Sequence, residues 1–414
     1  MRIERAQLRQ IADGFAVGVV VALPWSTSVA SILLVLWLLT LIPTLDPRDL
    51  RDVMRHPAAW LPVALVIVGA AGMLWADVSW KERIRSFEPF ARLLVLPLLF
   101  AQFRHSERAH WVFIGFLVSC LALLAVSFAG MLAGGIGGRF KTYGVPVRDY
   151  IAQSGEFILC AAGLFYVAMM NWSERRLGYA IAALALAAFF LVNVFFVAPS
   201  RTALVTVPIL LILFAVTQCR WTQMLALLAA IAVLVGIVWV SSPKVQERLT
   251  GIYTEVQEHR TNNTPTSAGL RVEFWTKALE MVRQSPLIGH GTGSIRELFV
   301  RASAEGTALS RTVNPHNQTL TVAIQVGLIG AAVLIAMWLS HLTLFFRGIG
   351  LAAWIGLAIV TQNVIGGLFN NHLFDFVQAW LYLFGVGVAG GWVMKQSQAA
   401  SAAALSPGRA TAPS

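Results

Sequence analysis

Residues 223–241, QMLALLAAIAVLVGIVWVS, form an apolar run that contains no charged side chain. A transmembrane helix needs about 20 consecutive apolar residues, so this run is long enough to cross a bilayer. Runs of similar length recur along the chain, and they predict twelve membrane spans. The spans are residues 11–23, 26–44, 59–75, 87–103, 111–132, 153–171, 177–198, 202–218, 223–241, 318–345, 351–369 and 376–393. The sequence therefore predicts an all-α, polytopic membrane protein.

The overall composition supports this class. Of 414 residues, 57% are hydrophobic and only 12% are charged, and the mean hydropathy is +0.70. Soluble domains carry about 25% charged residues, so a soluble enzyme is excluded. The net charge of +11 does not indicate nucleic-acid binding here, because membrane proteins collect Lys and Arg in cytoplasmic loops. Three scattered cysteines give no disulfide framework and no metal-ligand spacing.

The positions of Lys and Arg predict the orientation. With the N-terminus in the cytoplasm, fourteen of the 31 lie inside, nine lie in residues 242–317 and eight lie elsewhere outside. Long translocated segments escape the positive-inside rule, so the relevant comparison is fourteen against eight. We accordingly expect spans 1–9 in residues 1–241, a periplasmic loop domain in residues 242–317, spans 10–12 in residues 318–395, and a disordered cytoplasmic tail in residues 396–414.

The loop domain carries helix signals. Ser242 followed by Pro243 is typical of a helix start. Apolar residues from Leu270 to Val282 recur at helical spacing, which predicts an amphipathic helix that carries Arg271. Ser294 with Glu297 three residues later predicts a capping box at the start of a further helix. The loop is therefore expected to be mostly helical and to pack against the outer end of the membrane bundle.

Eight outer cations oppose the topological bias. They are Lys81, Arg83, Arg85, Arg92, Arg139, Lys141, Arg148 and Arg201. Clustered guanidinium groups match the oxygens of phosphate, so a bound anion at the outer leaflet explains them most simply. Pairing with nearby carboxylates or with lipid phosphates is the alternative. From this group we predict Lys81, Arg83, Arg139 and Lys141 as receivers of substrate phosphates.

Three residues are the main candidates for catalysis. His316 lies where the loop re-enters the membrane, and a neutral imidazole can accept a proton near pH 7. Arg201 lies at the outer end of a span, where an arginine is costly unless it is paired or snorkels. Arg271 lies near the start of the loop helix, where an anion is favoured, although an exposed structural arginine is equally compatible with the pattern.

The sequence offers little support for other chemistry. No Asp-x-Asp pair is present that could hold a metal-bound diphosphate, so the cations have to replace the metal and no cofactor is expected. No phosphate-binding P-loop and no serine nucleophile elbow occurs. Residues 370–375, NNHLFD, form a polar outer turn in which Asp375 is a weaker candidate for substrate contact.

The arrangement of spans, loop and motifs resembles the O-antigen ligase and polymerase superfamily of bacterial inner membranes. A pattern described for O-antigen ligases has His, then Asn, Ser or Gln, nine residues, Gly, two residues, and Gly, Thr or Tyr. His316, Asn317, Gly327 and Gly330 match it completely. Residues 200–203, SRTA, resemble the family's outer-end arginine element, and residues 270–275 with 286–291, LRVEFW and PLIGHG, resemble its loop-arginine element.

The resemblance implies a substrate pair and a reaction. The donor is O-antigen polysaccharide on undecaprenyl pyrophosphate, and the acceptor is a sugar hydroxyl of lipid A-core. We expect a metal-independent inverting displacement in which His316 is the general base and Arg201 and Arg271 hold the diphosphate. Asn317 and Asp375 are expected to contact substrate. The site is expected to face the periplasm from the inner membrane, where membrane lipids surround the protein.

Three alternatives stay open at this point. An O-antigen polymerase uses the same donor but extends another lipid-linked glycan, and a protein O-oligosaccharyltransferase uses a protein acceptor. A transporter of lipid-linked glycans belongs to a different class and is expected to carry charges inside several spans. In this sequence the charges gather at span ends, which favours the enzyme.

Overall fold

The computed structural model describes residues 4–132, 144–147, 149–262, 264–303 and 312–405. These residues fold into α-helices, and no β-strand occurs among them. The first eleven helices are α1 (Arg5–Ala22), α2 (Thr27–Leu41), α3 (Pro47–Val53), α4 (Pro57–Gly72), α5 (Trp80–Ala91), α6 (Val95–Phe103), α7 (Ala109–Leu132), α8 (Tyr150–Ser173), α9 (Leu177–Val192), α10 (Arg201–Gln218) and α11 (Trp221–Ser241). They are followed by α12 (Pro243–Asn262), α13 (Ser267–Gln284), α14 (Ile295–Arg301), α15 (Gln318–Phe346), α16 (Gly350–Phe369) and α17 (Phe376–Leu405). The all-α prediction is confirmed, whereas the expected disordered tail of residues 396–414 is wrong for residues 396–405, because α17 continues to Leu405.

Within the described ranges, nine helices are long and apolar enough to cross a membrane. A tenth span results if α3 and α4, which meet at a bend of 92°, are counted together. The expected spans 11–23, 59–75 and 87–103 account for the difference from twelve. The first corresponds to α1, which carries Arg5, Arg9 and Asp13, and the second corresponds to α4. The third is divided between the end of α5, a 3₁₀ turn and the short helix α6.

The helices pack around α17, in which 83% of the residues of the apolar, membrane-spanning stretch are buried. It contacts α6 and α16, and α15 packs against both α4 and α16. A second apolar core joins α7, α8, α9 and α10, and a third joins α13 and α14 to α15. In contrast, only 6% of the residues in the apolar stretch of α11 are buried, because this helix has few neighbours besides α10 and α12. The candidate site residues are therefore held by a packed bundle rather than by α11.

Helices α12, α13 and α14 lie at one end of the bundle, which we call the loop side. The predicted start of α12 is confirmed, because the Val245 N–H donates to Ser242 Oγ (3.4 Å). The predicted amphipathic helix is also confirmed, since Phe274, Ala278 and Val282 on α13 are buried. The predicted capping box at Ser294 is wrong. The helix predicted to begin there is present as α14, but Ser294 has an αR backbone (φ −70°, ψ −20°) and makes no side-chain cap, and Glu297 accepts from Arg301 (2.9 Å).

Candidate functional site

Arg201 is fixed at the first turn of α10 on the loop side. Ser200 caps this helix by accepting from the Ala203 N–H (3.1 Å), which is the usual reason for serine at this position. The Ser200 hydroxyl is buried and also bonds to the hydroxyl of Ser154 on α8 (2.8 Å). The Ser-Arg sequence thus places a guanidinium at the end of a membrane helix and anchors its backbone to a neighbouring helix.

The guanidinium of Arg201 binds the carboxylate of Glu255 on α12. Its Nη1 donates to Glu255 Oε2 (3.3 Å), its Nη2 donates to Glu255 Oε1, and its Nε donates to the carbonyl oxygen of Arg248 (3.0 Å). Glu255 Oε2 also accepts from the Ala268 N–H in the first turn of α13 (2.9 Å). Burial alone would raise the pKa of Glu255, but these hydrogen bonds and the charges of Arg201 and Arg248 lower it. One carboxylate therefore joins α10, α12 and α13.

Arg271 follows one turn along α13. Thr266 caps this helix by accepting from the Gly269 N–H (3.3 Å), and its hydroxyl donates to the carbonyl oxygen of Glu255 (2.6 Å). Burial lowers the pKa of Arg271, and the nearby charge of Arg201 lowers it further, while Tyr150 and Glu255 act in the opposite direction. A guanidinium remains protonated in proteins, so Arg271 is a second cation beside Arg201.

A cavity of about 320 Å³ lies between α8, α10, α12 and α13 on the loop side. The guanidinium of Arg248 lies over the ring of Tyr150 at its rim, 5.5 Å from the ring centroid. The buried indole Nε1 of Trp275 has no hydrogen-bond partner among the described residues. The cavity is lined by three guanidinium groups and three aromatic rings. The guanidinium groups belong to Arg201, Arg248 and Arg271, and the rings belong to Tyr150, Trp275 and Phe369, the last at the end of α16. This cavity suits an anion attached to an apolar or sugar-like group.

His316 lies close enough to Arg271 for the positive charge of the guanidinium to act on its imidazole. It immediately precedes α15, where Asn317 is the N-cap, and its backbone has a positive φ of 52°. Its N–H donates to Asn314 Oδ1 (2.9 Å), and its ring stacks on Phe274 with centroids 6.0 Å apart. Phe274 follows Arg271 by three residues on α13, so both side chains project from one side of that helix.

The electrostatic environment keeps His316 neutral near pH 7. Burial lowers the pKa of its imidazole, and the positive charge of Arg271 lowers it further. A neutral imidazole is the form that accepts a proton. A second histidine on this side, His372, is 4% exposed, and burial lowers its pKa to about 4 although Asp149 acts in the opposite direction. Of these two histidines, His316 is the more accessible and the one coupled to Arg271.

The loop that follows α13 is inserted into a break in α15. The break lies at Val326 and Gly327, where φ of Gly327 is 69° and ψ is −171°. The N–H groups of His290 and Gly291 donate to the carbonyl oxygens of Ile324 and Gln325, each at 2.8 Å. Backbone groups freed by the break are thus satisfied by the loop, as a broken helix within a membrane protein requires.

This insertion explains the glycines of the two sequence elements that carry the resemblance. A Cβ on Gly327 would lie 2.0 Å from the carbonyl oxygen of Leu287, and one on Gly291 would lie 2.3 Å from Ala76 Cα. Gly289 and Gly291 also have positive φ values of 67° and 93°. Only glycine adopts these conformations without strain and admits such close approach. The glycines therefore allow the loop that follows α13 to pack against the break in α15.

The remaining predicted substrate residues have other surroundings. Lys81 is exposed on α5, whereas Arg83 donates to the carbonyl oxygens of Met73 (2.8 Å) and Val78 (2.9 Å) and lies over the ring of Trp80. These bonds give Arg83 a structural role in the turn between α4 and α5. The residues Arg139 and Lys141 lie outside the described residues.

Asn317 and Asp375 flank the beginnings of helices. The Asn317 carboxamide accepts from the Leu320 N–H (3.0 Å) and donates to the carbonyl oxygen of Leu368 (3.1 Å), so it positions α15 against α16. Asp375 is exposed at the residue before α17. The two bonds of Asn317 fix the backbone that immediately follows His316.

Four residues at the cavity were not predicted from the sequence: Tyr150, Arg248 and Trp275, which line it, and Glu255, which binds Arg201. A helical signal was available for two of them, because Arg248 and Glu255 are seven residues apart and so share one face of α12. Which partner that face meets depends on the packing of α12 against α10, and periodicity does not report it. Among the described residues, no group of three or more His, Cys, Asp and Glu side chains is placed to hold a metal ion.

Fold and site together define a polytopic membrane protein with a cationic, histidine-flanked cavity at one end of its helix bundle. Residues 186–335 match the family model described as O-antigen ligase, and this match supports a relationship of that part of the chain to the O-antigen ligase and polymerase superfamily. The matched region contains Arg201, Arg271 and His316. The chain is also 25% identical over 146 residues to an uncharacterized protein of Haemophilus influenzae. That alignment covers 34% of this chain and 36% of the relative's length.

Proposed function

We propose that this protein is an O-antigen ligase. It transfers polysaccharide from undecaprenyl pyrophosphate to a sugar hydroxyl of lipid A-core at the periplasmic face of the bacterial inner membrane. The loop side of the bundle is the periplasmic side in this proposal. The observation that carries it is that Arg201 and Arg271 line one cavity while the ring of His316 stacks on Phe274, three residues after Arg271 on the same helix.

The reaction is a single displacement with inversion at the anomeric carbon. His316 takes the proton of the acceptor hydroxyl, and the acceptor oxygen forms a bond to the anomeric carbon. The bond from that carbon to the diphosphate oxygen breaks, and undecaprenyl pyrophosphate leaves with the electron pair. Arg201 and Arg271 stabilise the charge that grows on the leaving diphosphate. This assignment requires no metal ion, since the guanidinium groups supply the positive charge.

The geometry supports this division of roles. Arg201 and Arg271 line the cavity, and His316 stacks on Phe274, which follows Arg271 by three residues on α13. In this proposal the diphosphate of the donor occupies the cavity and its first sugar faces the imidazole of His316. Both substrates are anchored in the same leaflet, so they reach the site by lateral diffusion and the protein has only to orient them.

Purified full-length protein in nanodiscs provides the test. It is given defined donor and, separately, lipid A-core, a lipid-linked repeat unit or an acceptor protein. We expect transfer to lipid A-core, a loss of about 10²–10⁴-fold for His316→Ala, and a loss of about 10²–10³-fold for Arg271→Ala. His110→Ala at the start of α7 and Arg301→Ala on the exposed side of α14 are the matched controls, and they are expected to retain activity.

The acceptor panel separates the competing functions. Chain extension of the lipid-linked repeat unit in place of transfer to lipid A-core identifies a polymerase, and glycosylation of the protein acceptor identifies a protein O-oligosaccharyltransferase. Movement of donor across the membrane of sealed vesicles without covalent transfer identifies a transporter. Any of these three results overturns the ligase assignment.

A further inference from the structure

Glu255 binds Arg201 as a phosphate group does. Both of its carboxylate oxygens accept from the guanidinium of Arg201, which is the fork geometry that arginine uses for carboxylates and phosphates alike. One of these oxygens also accepts from the Ala268 N–H at the start of α13. The N-terminus of a helix favours anions, so two independent features of the fold place a negative group at this point.

The cavity holds more positive charge than this carboxylate neutralises. Arg201, Arg248 and Arg271 line it, whereas Glu255 is the carboxylate that lies against them in the part of the chain that the structure describes. The guanidinium of Arg248 is exposed over the ring of Tyr150 and forms no ion pair with a described residue. The unpartnered Trp275 N–H adds a hydrogen-bond donor in the same lining. Three cations against one carboxylate leave room for an anion with two or more charges.

We propose that Glu255 occupies the position of one phosphate of a diphosphate ligand and is displaced when that ligand binds, and that Arg248 binds the second phosphate. This inference rests on the proposed function, because it names the subsite for the diphosphate of the donor. On displacement, Arg201 and the Ala268 N–H exchange a carboxylate for a phosphate group. The side chains of Glu255 and Arg201 are 26% and 19% exposed, so solvent and ligand can reach the pair.

The alternative role for Glu255 is that of a permanent strut that orients Arg201. The two roles predict opposite effects of Glu255→Gln on anion binding. A displaced carboxylate competes with the ligand, so removal of its charge tightens binding. A strut orients the arginine for the ligand, so removal of its charge weakens binding.

Binding of inorganic pyrophosphate to the purified full-length protein, measured calorimetrically in the presence of chelator, distinguishes these roles. We expect Glu255→Gln to bind pyrophosphate about 10-fold more tightly than the wild type, and Arg248→Gln to bind it about 10-fold more weakly, which corresponds to one charge-assisted hydrogen bond. The matched controls are Glu258→Gln and Arg260→Gln, which are exposed on the same helix and are expected to bind as the wild type does.

Weaker or unchanged pyrophosphate binding by Glu255→Gln overturns the displacement of Glu255. Unchanged pyrophosphate binding by Arg248→Gln overturns the assignment of Arg248 to the second phosphate. If Glu255→Gln does not fold, Arg248→Gln still tests the subsite, because the side chain of Arg248 is exposed and contacts only the face of Tyr150 among the contacts described. Absence of pyrophosphate binding to the wild type also overturns the inference. The proposed function fails separately, since it is judged by transfer to lipid A-core.

Discussion

Replacement of Gly327 by alanine tests whether the break in α15 organises the site. An ideal Cβ at residue 327 lies 2.0 Å from Leu287 O, and ordinary contact begins near 3.4 Å, so the loop has to retreat by about 1.4 Å. The N–H of Leu328, which donates to Pro286 O at 2.7 Å, and the N–H of Ile329, which donates to Leu287 O at 3.4 Å, then lose their partners.

The expected cost combines two effects. A non-glycine residue at φ 69° and ψ −171° costs about 1–3 kcal/mol in backbone strain. Two lost hydrogen bonds cost about 0.5–1.5 kcal/mol each. The sum is roughly 2–6 kcal/mol, which corresponds to a fall in melting temperature on the order of 4–12 °C at about 2 °C per kcal/mol. The displaced loop joins α13, which carries Arg271, to the break in α15, so the transfer rate is also expected to fall.

Thermal unfolding in detergent, followed by tryptophan fluorescence, and transfer to lipid A-core are the two assays. The matched control is Gly236→Ala on α11, where a Cβ meets nothing within 4 Å. This control is expected to melt at or slightly above the temperature of the wild type, because alanine is the better helix former. A Gly327→Ala protein that melts and reacts as the wild type does refutes the role assigned to the inserted loop.

Four further predictions concern His316, Thr292, Arg83 and the absence of a requirement for metal. The transfer rate is expected to fall as pH drops through the pKa of His316, which is lowered by burial and by Arg271. Arg271→Gln removes a positive charge, so the fall in rate is expected to occur at higher pH in this variant. Rates of transfer measured from about pH 5 to pH 8 check both expectations. Thr292→Val removes the bond from Thr292 Oγ1 to Gly69 O (2.6 Å) and is expected to destabilise the protein by about 1–3 kcal/mol, seen as a lower melting temperature. Arg83→Gln is expected to lower the melting temperature and leave the KM for donor unchanged, whereas a raised KM with normal stability indicates substrate binding instead. Transfer is expected to persist in EDTA, and its loss there with recovery on addition of a divalent cation contradicts the metal-independent assignment.

Hydropathy and periodicity predicted most of the fold, because the apolar length of a span and the apolar face of α13 are local properties of the sequence. The interruption between α5 and α6 was not predicted, since residues 87–103 are apolar overall and only Pro89 signals a change of direction. The capping box at Ser294 was wrong because the backbone of Ser294 is in the αR conformation, whereas a capping residue normally has an extended one, and Glu297 pairs with Arg301 instead.

The candidate site was predicted in part. His316, Arg201 and Arg271 were named individually from the sequence; in the structure Arg201 and Arg271 line one cavity, and His316 stacks on Phe274 of α13. The contribution of Glu255 was not recognisable, because a loop glutamate has no distinctive pattern until α12 packs against α10. Gly327 was visible as part of a motif, but its physical reason, the approach of Leu287, appears only in three dimensions.

The most direct test of the central claim is the single-turnover transfer rate of His316→Ala protein with donor already bound. The account predicts that donor binds as it does to the wild type and that transfer to lipid A-core slows by about 10²–10⁴-fold. A rate within a few-fold of the wild type at saturating acceptor contradicts the assignment of His316 as the base.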